Sequence, residues 1–157
     1  MTDFRCLPIA TEIADRFRAT GRDDAGNDLR RREPGPDSRC PCRHCLGYGG
    51  SGQTMLLGSY NLPRPLGVYW TPSPIFVHAG PCARYDRVND IPEIVRGALV
   101  SVRAYDADDQ CLYELGQVSD GIEVDAPLSR ALDDPRTAYV NIHTAKPGCL
   151  LCRVERC

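Results

Sequence analysis

Nine cysteines stand in this 157-residue chain, and four of them form two Cys-x-x-Cys pairs about a hundred residues apart. The pairs are Cys42-Arg43-His44-Cys45 and Cys149-Leu150-Leu151-Cys152. A Cys-x-x-Cys turn sets two sulfurs on one side of a short loop, at a spacing that suits one metal ion or one disulfide. Two such turns supply the four ligands of a tetrahedral site, here one that would staple distant parts of the chain together. A zinc ribbon separates its pairs by about 15–20 residues, so the longer interval implies a site assembled by the fold. The alternative is that the sulfurs pack as small hydrophobes.

Redox compartment decides between ligands and disulfides. The N-terminal stretch Met1-Thr2-Asp3-Phe4-Arg5-Cys6 lacks a basic region followed by an apolar run, and no segment reaches the roughly 18 apolar residues of a membrane span. A cytoplasmic setting is therefore expected, where thiols stay reduced, and an odd cysteine count agrees with it. Net charge is −2, which argues against a nucleic-acid binder with a broad basic surface. Hydrophobic residues make up 42% and charged residues 25%, as in a soluble globular domain long enough to bury a core unaided.

The pattern along the chain predicts one α+β domain over 1–157 with a mainly antiparallel sheet. Ile9, Ile13 and Phe17 recur at helical spacing, so a helix is expected over 8–20, closed by Gly21. Residues 21–38, with Arg30-Arg31-Arg32 and then Pro34-Gly35-Pro36, read as an exposed and mobile loop. Its arginine triplet offers a contact for an acidic partner, although such runs are commonly solvated segments. Strands are expected at 54–60, 74–78, 99–105, 111–115, 121–124, 138–143 and 150–154, where apolar and polar residues alternate. Two short helices, over 91–97 and 126–132, carry a proline near the first turn.

The candidate metal ligands are Cys42, Cys45, Cys149 and Cys152, with zinc the expected ion and a structural role expected from a closed shell of four protein ligands. Cys40, His44 and His143 make a mixed Cys₃His set chemically equivalent. A rival chemistry makes Cys42 a nucleophile or redox thiol, with Arg43 holding an anionic group and His143 acting as the base. No Gly-x-Ser-x-Gly elbow, His-Glu-x-x-His helix or phosphate-binding Gly-Lys-Ser/Thr loop is present.

Four stretches occur in an order that resembles a known family. They are Pro41-Cys42-Arg43-His44-Cys45-Leu46, Pro74-Ile75-Phe76-Val77-His78 with Cys82 after it, Arg103-Ala104-Tyr105-Asp106, and Gly148-Cys149-Leu150-Leu151-Cys152-Arg153-Val154-Glu155-Arg156. Together they resemble the bacterial domain-of-unknown-function family 1203, over most of the chain from Arg39 onward. The resemblance implies an uncharacterised soluble bacterial protein and no particular activity. Its anchors map to Cys42, Arg43 and Cys149; Cys45 and Cys152 are the less constant members of their pairs.

Overall fold

A computed structural model describes residues 2–157. They form three α-helices and ten strands, an α+β domain whose ladders are antiparallel. The chain opens with a short strand, β1 (Phe4–Leu7), which lies before the helix expected over 8–20 and within no expected element. The helix itself, α1, is Thr11–Thr20. Gly21 closes it as expected: at φ 65° it takes the left-handed conformation and returns its N–H to Phe17 O.

The arginine triplet forms an exposed edge strand, β2 (Arg30–Arg32), which pairs with residues 55–57. It therefore lies inside the stretch read as a loop. Its three charged side chains carry no apolar alternation, so nothing in the pattern marks it, whereas charge on an edge strand guards against strand addition.

Two tiny strands, β3 (Cys40–Pro41) and β4 (Tyr48–Gly49), pair with each other and leave residues 42–47 as the turn between them. β5 (Met55–Asn61) and β6 (Pro72–His78) follow, pairing along their whole length, and with β2 they make a three-stranded sheet of order β2-β5-β6.

The second half builds a five-stranded sheet. α2 (Glu93–Arg96) leads into β7 (Leu99–Tyr105), then β8 (Gln117–Asp120), α3 (Asp125–Asp133), β9 (Tyr139–Thr144) and β10 (Leu150–Arg156). The order is β1-β10-β9-β7-β8, so the N-terminal strand returns to cover the C-terminal one. Two expected strands differ. Residues 111–115 make one bridge, Tyr105 to Cys111, and then a single 3₁₀ turn. Residues 121–124 turn in the same way, and the strand lies just before them as β8. Gly121 explains the shift: a Cβ there would stand 1.9 Å from Val95 O, and its N–H bonds to Ala98 O. The chain must turn against α2 at that point, and only glycine fits.

Two hydrophobic cores result. One fills the space between the five-stranded sheet and α2 and α3, with Val100, Val102, Leu128, Val140 and Ile142 at its centre. The other lies between α1 and the three-stranded sheet, around Phe17, Met55, Ile75 and Val77, and it includes Cys42. Among the described residues no helix is long and apolar enough to cross a membrane.

Candidate metal centre

The turn between β3 and β4 is organised by sulfur. Cys42 N–H bonds to Gly47 O, and Leu46 N–H bonds to Cys42 O, closing the loop on itself. Inside it, the Cys42 sulfur accepts backbone N–H bonds from His44, Cys45 and His78, and the Cys45 sulfur accepts one from Gly47. Amides aimed at two sulfurs stabilise thiolates and fix where they point. Leu46 pays a conformational cost for this path. It has φ 54°, a left-handed conformation unusual for a leucine, while its side chain is 1% exposed in the core.

The same turn is docked on β6. A parallel bridge joins Cys42 to Phe76, and Arg43 N–H bonds to Phe76 O at 2.9 Å. Two residues further on, His78 ends β6 beside Cys45, and the segment after it brings Cys82 to the other sulfur. Cys42, Cys45, His78 and Cys82 thus form a cluster whose ligand atoms all lie within 4.8 Å of one another. The Cys42 and Cys82 sulfurs are 3.9 Å apart, and the Cys45 sulfur is 3.7 Å from His78 Nδ1. These are opposite edges of a tetrahedron. With metal–sulfur bonds of about 2.3 Å and a metal–nitrogen bond of about 2.0–2.1 Å, ideal edges are about 3.8 Å and 3.6 Å. The cluster can hold a metal ion in a Cys₃His shell.

Second contacts orient the ligands. His44 is 2% exposed, with Nε2 2.9 Å from Thr11 Oγ1 and Nδ1 3.2 Å from the Cys82 sulfur. A Thr11 hydroxyl donating to Nε2 leaves the proton on Nδ1, aimed at Cys82. Arg18 of α1 donates from Nη2 to the same sulfur at 3.4 Å and from Nε to His78 O at 3.0 Å. α1 is therefore tied to the cluster by Thr11 and Arg18.

The thiols are poised unequally. A hydrogen bond from the Cys45 thiol, helped by the backbone amides, outweighs burial and brings Cys42 down to about 4. Cys45 is pushed up as the proton donor to that thiolate. Burial, with the Cys42 charge beside it, raises Cys82.

Arg43 lies inside the turn yet faces away from solvent, 3% exposed. Its guanidinium donates to Leu150 O at 2.6 Å and to Pro41 O, and among the described residues no carboxylate pairs with it. Burial lowers it to about 10, and the ionisable groups that most favour its charge are the sulfurs of Cys149, Cys42 and Cys152. Its Nε and Nη1 are engaged by two carbonyls, and burial shields the group from solvent.

Of the four cysteines singled out in the sequence, the structure brings Cys42 and Cys45 into the cluster and leaves Cys149 and Cys152 outside it. Cys152 is buried in the other core, where its sulfur meets that of Cys6. The reason lies in the backbone: β10 runs from Leu150, so the second Cys-x-x-Cys is extended rather than turned. Three steps of extended chain separate the Cα atoms by up to about 10 Å, and a bulge between Leu150 and Cys152 shifts the register with β9 there. The third residue of the rival reading, His143, sits on β9 with Nδ1 2.9 Å from Gly148 O. It is 3% exposed, and burial together with the charge of Arg103 lowers it to about 4, so it is neutral at physiological pH.

His78 and Cys82 of this cluster are not among the ligands expected from the sequence. Their spacing, His-x-x-x-Cys, at the end of an expected strand is a metal half-site in its own right. No curated protein and no solved structure matches this chain. One family does, described as protein of unknown function (DUF1203), over residues 39–156, a span that contains all four residues of the cluster. The chain belongs to the DUF1203 family.

Proposed function

We propose that the protein is a zinc-binding member of its family, with Cys42, Cys45, His78 and Cys82 as ligands and a structural role for the ion. The observation that carries this reading is the pair of opposite edges, 3.9 Å and 3.7 Å, in a cluster drawn from a hairpin turn, a strand end and a loop. Four protein ligands close the shell and leave no position for water or substrate, which is the mark of a structural rather than a catalytic zinc. Charge supports the same ion. Three thiolates and a neutral imidazole around a divalent cation carry one net negative charge, and Arg18 and the buried Arg43 are the cations available to balance it. The role follows from position: the ion would join the β3–β4 turn to the end of β6 and to the segment that carries Cys82. A reducing, cytoplasmic setting belongs to this reading, because thiols this close together would otherwise oxidise.

Cobalt substitution tests it. Tag-free protein refolded with cobalt(II) should show the intense visible bands of a tetrahedral site and a thiolate-to-metal absorption in the near ultraviolet. Both should weaken in His78→Ala and in Cys82→Ser. Weak octahedral bands, or bands unaltered in both variants, would remove this ligand set.

A further inference from the structure

A cleft lies beside the candidate metal cluster, lined by none of its four residues. β10, β9, the segment between β5 and β6, and the approach to α1 enclose a cleft of about 230 Å³. Its lining contains three arginines, Arg64, Arg84 and Arg153, together with Asn141 and Tyr60, and no carboxylate. Lysine, the other common cation, is almost absent from this chain, but arginine has the geometry that matters here. Its planar fork presents paired N–H groups to oxyanions.

Two of the three guanidiniums are held in place. Those of Arg64 and Arg153 both rest on the buried ring of Tyr139, 4.4 Å and 5.3 Å from its centroid, which places them within about 10 Å of each other. Arg64 is held by Asp109 at 2.7 Å, and Asp109 in turn accepts from the Tyr139 hydroxyl and from Leu66 N–H. Arg153 has one ion pair, to Glu155 at 3.2 Å. Among the described residues, Arg84 has neither an ion pair nor a hydrogen bond, although it lines the cleft. Asn141 is 1% exposed; it donates to Arg64 O at 3.2 Å and so fixes the backbone from which that arginine extends. The remaining wall is apolar, including Ile9 and Leu151. Two anchored cations and one uncommitted one around an acid-free cleft form a receptor awaiting negative charge. An apolar wall beside them suits a ligand with a non-polar body.

We infer that this cleft binds a small phosphomonoester, its phosphate held by Arg84 and Arg153 and its body lying against the apolar wall. Phosphate is favoured over carboxylate because its near-dianionic charge and three oxygens match several forks at once. None of the four cluster residues lines the cleft, although Arg84 follows Cys82 by two residues and its charge is felt at His44.

Titration calorimetry on the full chain at low ionic strength tests it, with inorganic phosphate, phenyl phosphate and benzoate as probes. Phenyl phosphate should bind more tightly than inorganic phosphate, with affinity falling as salt is added. Arg84→Ala and Arg153→Ala should each weaken it tenfold or more. Arg87→Ala, which removes an exposed arginine outside this cleft, should leave it unchanged. Arg84 is exposed, so its variant should fold, and circular dichroism checks that it does. No binding of either phosphate at millimolar concentration would overturn the inference, as would affinity indifferent to both substitutions in folded protein. Benzoate binding as tightly as phenyl phosphate would overturn the assignment to phosphate.

Discussion

Replacing Arg43 by alanine should destabilise the protein severely, because of what the guanidinium holds rather than what it could catalyse. It satisfies the carbonyls of Leu150 and Pro41 from a position 3% exposed, linking β3 of the two-stranded sheet to β10 of the five-stranded one. Truncation orphans both acceptors, at about 1–3 kcal/mol each. It also removes a buried aliphatic stem. An opposing effect is real: a guanidinium buried without a carboxylate bears a desolvation cost, and removing it returns some of that. The return is limited, because the neighbouring sulfurs supply negative charge. The net loss should be about 4 kcal/mol, or roughly 8–16 °C in Tm for a chain of this size. Arg43→Met keeps the stem and should lose about half as much. Urea unfolding with an unchanged m-value is the assay, since a shifted midpoint then reports stability alone. Arg43→Ala within 1 kcal/mol of the parent would refute the reasoning and reopen a role for this arginine in binding.

Two further perturbations follow from the same structure. His143 is lowered to about 4 from its ordinary 6.5, so the unfolded chain binds its proton first; stability should be full above pH 6.5 and fall as pH drops toward 4, by about 3 kcal/mol in total. Chemical unfolding across that range should show a shallower pH slope for His143→Gln than for the parent, and equal slopes would contradict the assignment. Leu46→Gly relieves a left-handed leucine, worth about 1–2 kcal/mol, but removes a side chain whose burial is worth about 2–3 kcal/mol plus a cavity. The variant should therefore be less stable by about 1–3 kcal/mol in urea unfolding; a more stable variant would show that strain outweighs packing there.

The sequence was most readable where periodicity was long. β5, β6, β7, β9 and β10 fall where alternation places them, and α1 ends on the glycine expected to end it. Elements too short to show repeated alternation escaped: β1, β3 and β4 are two to four residues long and exist because of the partners they pair with. Gly121 looks like any strand residue until Val95 O is seen against it.

The candidate metal cluster was half legible, for a reason that also lies in the backbone. Cys42-x-x-Cys45 and Cys149-x-x-Cys152 are identical as spacings, but only the first lies in a turn. The strand expected over 150–154 already implied extended backbone at the second pair, and extended backbone spreads the sulfurs apart. His78 and Cys82 carried a metal half-site at the end of a correctly placed strand. Which pair of half-sites meets is decided by the docking of the β3–β4 turn on β6, through Cys42, Arg43 and Phe76, and no local pattern encodes that contact.

Elemental analysis of tag-free protein, comparing the parent chain with Cys82→Ser and Cys149→Ser, tests the central claim most directly. About one zinc per chain is expected in the parent and in Cys149→Ser, with loss of the metal in Cys82→Ser. A parent chain free of metal after purification in zinc-containing medium, or zinc that departs with Cys149 and stays without Cys82, would contradict it.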